Sequence, residues 1–136
     1  MAPIARDDQP QIGTIVVSQE ILAACTLSSS AARFAFDSSR VKADDDGWLD
    51  AVAGCFSSGA LRGRTLKVVG HADPRGTYDY NQTLGQRRAD SISNYLQGHG
   101  LAQVFIRSSS RGAVDAIGAD EMSWARDRRV DLTIAL

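Results

Sequence analysis

The sequence predicts an α/β (α+β) sandwich in which helices cover one face of a mixed β-sheet. Three observations support this fold class. Strand-like and helix-like segments alternate in the order β-α-β-α-β-β, which is typical of such a sandwich. The 136 residues are enough for one domain with a substantial core. Hydrophobic residues make up 43% of the chain and charged residues 23%, as in an ordinary globular domain.

Local patterns place each element. Asp44–Asp46 put negative charge at the positive end of a first main helix, and Gly98-His99-Gly100 end a second, longer helix. The elements expected in chain order are a strand at 33–36, a helix at 44–57, a strand at 65–69, a helix at 79–97, a strand at 104–109, a helical turn at 122–125 and a closing strand at 129–135.

The N-terminal part is expected to extend this domain. Residues 1–11 contain two prolines and two aspartates and are predicted to form a disordered lead-in. Residues 12–136 then form a single domain that begins with an N-terminal arm at 12–32. Within the arm we expect two short elements, a strand at 14–17 and a helix at 19–24 that Ser18 caps.

Two cysteines, Cys25 and Cys55, bear on the redox environment. The apolar stripe of the predicted helix 44–57 comprises Leu49, Val52, Ala53 and Phe56. Cys55 lies about 100° from that stripe and is better placed to meet another segment. A disulfide between Cys25 and Cys55 is therefore favoured, and two small buried thiols are the alternative. Residues 21–25 superficially resemble a lipidation motif, but the acidic residues before them make a poor apolar leader.

Composition and motifs argue against several functions. A net charge of −1 predicts no attraction to nucleic acid or acidic membranes. No apolar run approaches the ~20 residues that would insert into a membrane, and no secretion signal is visible. His71 and His99 lack the further ligands of a zinc site, so no metal or cofactor is expected. Nucleophile and phosphate-loop motifs are missing as well, which predicts a non-catalytic domain.

The segment 70–89 carries the strongest functional signal. An apolar run ends at Gly70-His71 and places Asp73 on a turn, and the long helix presents Arg88 fifteen residues later. Arg88 lies at the edge of the buried face of this helix, whereas Arg87 should face water. A carboxylate opposite a guanidinium suits a ligand whose end group carries both an ammonium and a carboxylate. A plain salt bridge between Asp73 and Arg88 is the alternative.

The same segment belongs to an ordered set of motifs. They are Phe34–Ser38, Gly70-His71-Ala72-Asp73, Arg75-Gly76-Thr77, Tyr80-Asn81, Leu84 to Asp90, Tyr95-Leu96, Ser110 to Gly112 and Arg128-Arg129-Val130. This set resembles the peptidoglycan-binding signature of OmpA-like C-terminal domains, and especially of the peptidoglycan-associated lipoprotein family. The resemblance extends from Phe34 to Leu136. Asp127 departs from it, because an asparagine is usual in the family at that position.

The resemblance implies a non-catalytic domain that binds the diaminopimelate of peptidoglycan stem peptides and tethers the outer membrane to the cell wall. Arg88 would hold the ligand carboxylate and Asp73 its ammonium. The further candidates for peptide contacts are Asp37, Ser38, Asn81, Leu84, Arg75 and Arg129. For Arg75, an ordinary solvated surface charge is an equally good interpretation. Arg129 is favoured over Arg128 as the residue closer to the groove.

The resemblance also implies a location and a second possible partner. The domain would lie in the periplasm, associated with the outer membrane through a part of the protein outside this chain. The alternative function is a protein-interaction module that binds a Tol-system protein similar to TolB, or another envelope protein, through the same groove.

Overall fold

The structure is a computed structural model that describes residues 9–41 and 47–136. The strands are β1 (Ile12–Val17), β2 (Arg33–Asp37), β3 (Leu66–His71), β4 (Ile106–Gly112) and β5 (Arg129–Ile134). The α-helices are α1 (Gln19–Ala24), α2 (Trp48–Ser57), α3 (Tyr78–Gly98) and α4 (Glu121–Asp127). Short 3₁₀ turns precede β2 and β4.

The five strands form one mixed sheet in the order β2-β1-β5-β3-β4. β1 is antiparallel to β2 and parallel to β5, while β3 is antiparallel to β5 and parallel to β4. The predicted α/β sandwich with a mixed sheet is confirmed. The expected short strand of the N-terminal arm is not peripheral, because β1 pairs with a neighbour on both sides.

A single hydrophobic core joins the sheet to α1, α2 and α3. It includes Ile15, Val68 and Leu132 from the strands and Phe56 and Leu96 from the helices, all without exposed surface. Burial of each such side chain contributes about 1.5–3 kcal/mol. The apolar stripe predicted for the helix at 44–57 is buried on α2, so the helical period located this part of the core correctly.

Several element boundaries differ from the prediction, and two of the differences have a clear local cause. α2 begins at Trp48, after Gly47, whose φ of +70° is a left-handed conformation that favours glycine. Asp44–Asp46, which were expected to begin this helix, lie outside the described residues. β4 begins at Ile106 and not at 104, because residues 103–105 form a 3₁₀ turn that leads into the strand.

The start of the chain also differs from the expected lead-in over residues 1–11. Gln9 is 1% exposed and its side chain hydrogen-bonds to groups more than 60 residues away in sequence. The backbone carbonyl of Gln11 accepts from the amide of Ser38 at 3.0 Å. Residues 9–11 are therefore part of the packed domain, and residues 1–8 lie outside the described residues.

The favoured disulfide is confirmed. Cys25, at the C-terminal end of α1, is bonded to Cys55 of α2, with the two Cα atoms 5.7 Å apart. The bond closes a loop of 30 residues, which stabilises the fold by about 3–4 kcal/mol if the chain-entropy account holds. It fixes the N-terminal arm to the main helical layer.

The long helix α3 packs on β3 by backbone contact. A Cβ atom added to Gly70 would lie 1.8 Å from the carbonyl oxygen of Gly85, and one added to Gly85 would lie 2.3 Å from Oγ of Ser110. No side chain fits between these two elements at this point. The contact fixes the height of α3 along the strand and therefore the position of every side chain that follows Gly85.

Candidate functional site

The candidate site lies at one edge of the sheet, where β3 ends and β1 and β5 begin. In the antiparallel pair, Gly70 lies opposite Val130, so the residues just after β3 meet those just before β5. In the parallel pair, Thr14 lies opposite Arg129, which brings residues 9–11 to the same edge. Chain segments far apart in sequence therefore converge on Asp73.

Arg88 reaches this edge from α3. Because Gly85 rests on Gly70, the guanidinium three residues later lies beside the end of β3. Its Nη1 donates to the carbonyl oxygen of His71 at 3.0 Å and to Oε1 of Gln9 at 3.5 Å. Its Nη2 donates to the carbonyl oxygen of Pro10 at 2.9 Å. The side chain is 0% exposed, and the neighbouring Arg87 is exposed, as the helical period predicted.

All the partners of Arg88 are neutral oxygens. Within residues 9–41 and 47–136, no carboxylate lies within 4.0 Å of its guanidinium nitrogens, and its Nε has no hydrogen-bond partner. Burial and the nearby charge of Arg128 lower the pKa of Arg88 to about 10, so it remains a cation at neutral pH. A buried cation that contacts only neutral oxygens among the described residues is costly, which makes this position receptive to an anion.

Asp73 is equally buried and has two cationic partners. Arg75 donates from Nε to Oδ1 at 3.1 Å and from Nη2 to Oδ2 at 2.7 Å, and Arg128 donates from Nη1 to Oδ2 at 2.9 Å. Burial alone would raise the pKa of Asp73, but these two guanidinium groups hold it below its usual value. The carboxylate is therefore ionised. We call Asp73, Arg75, Arg88 and Arg128 the charged cluster.

The two arginines that bind Asp73 differ in exposure. The side chain of Arg128 is only 4% exposed and also pairs with Glu121 at 2.8 Å. That of Arg75 is 29% exposed, lies on the turn after β3 and stacks over the ring of Trp124, 4.3 Å from its centroid. Arg75 is consequently the partner of Asp73 that solvent and ligands reach more easily.

Gln9 connects the members of the site to one another. Its Oε1 accepts from the amide of Asp73 at 3.1 Å as well as from Arg88. Its Nε2 donates to the carbonyl oxygens of Asp73 and Arg75 and to Oδ1 of Asn81, at 3.3, 3.0 and 2.9 Å. Gln9 thus links the guanidinium of Arg88 to the backbone of the turn that carries Asp73.

The salt bridge between Asp73 and Arg88, which was the alternative to a binding site, does not form in the structure. Arg75 and Arg128 bind the carboxylate instead, and Arg88 turns to neutral oxygens. Arg75 competes well because it is only two residues from Asp73 and its backbone amide bonds to the same carboxylate at 3.1 Å. The two predicted residues remain neighbours, since Asp73 contributes an attractive charge at Arg88.

The other predicted residues lie around this edge at different distances. Asn81 is buried and contacts Gln9 directly, while Leu84 is buried beside a pocket of about 270 Å³ that Tyr80 also lines. Ser38 pairs with Gln11 next to the site. The carboxylate of Asp37 does not point into the cluster, because it accepts hydrogen bonds from the amide and hydroxyl of Ser39.

Arg129 is not the arginine that joins the cluster. Its Nε donates to Oδ1 of Asp131 at 3.1 Å, and the residue that reaches Asp73 is Arg128. The preference for Arg129 over Arg128 therefore needs correction. Side chains alternate along an extended segment, so neighbouring arginines point to opposite sides of the sheet edge. The sequence shows the doublet but not which member faces the site.

Sequence reasoning missed Gln9 and Arg128 as members of the site. Both are brought in by strand pairing between distant segments, and no local motif marks Gln9. Asp127, the departure noted in the sequence, is buried and accepts from the amides of Ile117 and Gly118 at 3.1 and 2.9 Å. It anchors the preceding loop by hydrogen bonds to backbone and not by an ion pair.

The described residues offer no alternative chemical centre. They contain no group of three or more His, Cys, Asp and Glu side chains that is arranged to hold a metal ion. None of their helices combines the length and the hydrophobicity that a membrane crossing requires. His71, which precedes the turn, is buried with its Nε2 2.9 Å from Oδ2 of Asp131.

Comparison with known proteins identifies relatives of this architecture. The profile of the OmpA family matches residues 33–129. A curated protein of Pseudomonas aeruginosa, named peptidoglycan-associated lipoprotein, is 42% identical over 103 residues, which cover 73% of this chain and 58% of the relative. Outer membrane protein A of Bordetella avium is 34% identical over 103 residues, which cover 74% of this chain and 52% of that protein.

Solved structures agree with these relatives. The crystal structure of the peptidoglycan-associated lipoprotein from Burkholderia pseudomallei has a TM-score of 0.63 and 35% identity, with coverage of 75% of this chain and 86% of that one. The C-terminal domain of Helicobacter pylori MotB, at 16% identity, has a TM-score of 0.58 and shows the fold alone. This chain spans somewhat more than half the length of its Pseudomonas aeruginosa relative.

Proposed function

The chain belongs to the OmpA family, and from this membership and the charged cluster we propose that it is a non-catalytic domain that binds peptidoglycan. It recognises the diaminopimelate of stem peptides and so tethers the cell envelope to the wall. The observation that carries the proposal is Arg88, a buried cation whose partners are all neutral oxygens. The domain acts in the periplasm and is held at the outer membrane by another part of the protein.

In this proposal the ligand carboxylate binds Arg88. Its two terminal nitrogens already donate to separate oxygens, from Gln9 and Pro10. A carboxylate presents two oxygens in one plane and matches the planar guanidinium fork. The exchange replaces neutral acceptors by an anion in direct contact with Arg88.

The ligand ammonium binds Asp73. The carboxylate oxygens of Asp73 already accept four N–H groups, three from Arg75 and one from Arg128, so one partner must leave. The side chain of Arg75 is the one that leaves, because it is the more exposed of the two. One cation then replaces another, and Asp73 remains neutralised throughout.

The remaining predicted residues are proposed as supporting contacts. Asn81 supplies an amide next to the end group once Gln9 has moved, and Leu84 supplies an apolar wall for the aliphatic stem of the ligand. Asp37 and Ser38, at the end of β2, and Arg129, at the start of β5, contact the peptide further along the edge. A single end group makes few contacts, and many copies on one wall would raise the overall avidity.

Sedimentation with purified Gram-negative sacculi tests this function. We expect the natural chain to sediment with sacculi and Arg88→Ala to bind about tenfold to a hundredfold more weakly, because a charged hydrogen-bonded pair is lost. Arg87→Ala is the matched control. It removes the same charge from the adjacent, exposed position and should sediment like the natural chain.

The result that would contradict the proposal is equal sedimentation of Arg88→Ala and Arg87→Ala when both remain folded. A natural chain that stays in the supernatant would instead favour the alternative function, a module that binds a TolB-like or other envelope protein. One observation supports that alternative. Val114, Ile117 and Met122 are 58, 90 and 75% exposed on the segment that precedes Arg128, and a protein partner would cover such apolar side chains.

A further inference from the structure

Residues Gln9 and Pro10 occupy the position that the proposed ligand requires. The carbonyl oxygen of Pro10 lies 2.9 Å from Nη2 of Arg88, and Oε1 of Gln9 lies 3.5 Å from Nη1. Two oxygens on the two terminal nitrogens of one guanidinium form the pattern that a carboxylate makes. We propose that Gln9–Pro10 is an internal strap that competes with peptidoglycan for this site, an inference that rests on the function proposed above.

The strap also holds the turn that carries Asp73. Nε2 of Gln9 donates to the carbonyl oxygens of Asp73 and Arg75 and to Oδ1 of Asn81. The amide therefore presents an acceptor to Arg88 and a donor to the backbone of the Asp73 turn, so a ligand that binds Arg88 must displace it. Glutamine is rarely buried so completely, and here each polar atom of its amide is satisfied by the site itself.

The geometry of the chain keeps the strap close when it detaches. β1 begins at Ile12, two residues after Pro10, and is held between β2 and β5. Because the detached strap stays tethered to β1, its effective concentration near Arg88 is high and it rebinds readily. A ligand binds only the molecules whose strap is detached, so its apparent affinity is reduced by the fraction of such molecules. The strap therefore sets the concentration of stem peptide at which the domain binds the cell wall.

The test is to weaken the strap and measure binding of a muramyl tripeptide that ends in meso-diaminopimelate. We expect Gln9→Ala to lower the Kd about tenfold, since it removes the amide that fills the site. Pro10→Gly keeps the carbonyl that accepts from Arg88 but raises the entropy of the detached segment. We expect it to lower the Kd about twofold to fivefold.

Gln11→Ala is the matched control. Gln11 lies in the same segment and its Oε1 accepts from Ser38 at 3.1 Å, but it makes no hydrogen bond with the charged cluster. We expect its Kd to equal that of the natural chain. If Gln9→Ala does not fold, the Kd of Pro10→Gly alone tests the strap.

The outcomes separate the two proposals. If the natural chain binds the tripeptide and the strap variants bind it no more tightly, or more weakly, the strap is wrong and Gln9 belongs to the ligand-binding wall. If neither the natural chain nor the strap variants bind, the peptidoglycan-binding function itself fails. Tighter binding by both strap variants, with Gln11→Ala unchanged, supports the strap.

Discussion

Replacing Gly70 by alanine should destabilise the domain by about 3 kcal/mol or more. The new methyl group would lie 1.8 Å from the backbone oxygen of Gly85 and 2.7 Å from its carbonyl carbon. Backbone atoms in the middle of a helix cannot rotate away, so α3 must move as a whole. The displacement would also carry Arg88 away from the carbonyl of His71, and binding to sacculi should fall with stability.

Urea unfolding of Gly70→Ala, with Gly54→Ala as the control, measures this effect. Gly54 lies inside α2 and has no neighbouring atom within 4 Å of an added Cβ. Alanine there should stabilise the helix by about 0.5–1 kcal/mol, because glycine is the poorer helix former. Equal stability of the two variants would show that α3 does not rest on β3 by backbone contact.

The second large effect is expected from Asp73→Asn. The substitution keeps the shape of the side chain but removes the charge that faces Arg75 and Arg128, and Arg128 has almost no access to water. Removal of one partner from a buried ion pair costs about 3–5 kcal/mol. The measurement is the free energy of unfolding in urea at pH 7. Asp115→Asn is the control, since its pair with Arg111 lies at the surface, where water and salt screen the charges.

The pH dependence of the free energy of unfolding provides a further test with the same variant. The pKa of Asp73 is lowered in the folded state relative to its unfolded value of 3.8. Its contribution is therefore fully present above pH 3.8 and is lost as the pH falls through the lower, folded pKa. The stability difference between the natural chain and Asp73→Asn should shrink in that range. A difference that stays constant down to strong acid would mean that the charge of Asp73 is not what stabilises the site.

The features that the sequence predicted well are those that depend on near neighbours. The period of α3 placed Arg88 inward and Arg87 outward, because both follow from a rotation of 100° per residue. The turn after β3 placed Asp73 at the end of a strand. The angle of Cys55 from the apolar stripe of its helix indicated a bond to another segment, which is the disulfide with Cys25.

The features that the sequence did not predict depend on strand pairing. β1 was expected as part of an arm, yet it lies inside the sheet, and this brings Gln9 to Arg88. The antiparallel pairing of β3 with β5 brings Arg128 to Asp73, and alternation along β5 turns Arg129 away. Local patterns carry no information on such pairings. The alternative, an Asp73–Arg88 salt bridge, does not form because Arg75 and Arg128 bind the carboxylate.

In the proposed function, Arg88 and Asp73 together recognise the two charges of the diaminopimelate end group. The decisive measurement is calorimetric titration with two muramyl tripeptides. One peptide ends in meso-diaminopimelate. The other ends in lysine, which keeps the ammonium but lacks the second carboxylate. We expect binding of the first only, and no such preference in Arg88→Ala. Equal affinity of the natural chain for both peptides would contradict the claim, because Arg88 would then contribute nothing to recognition.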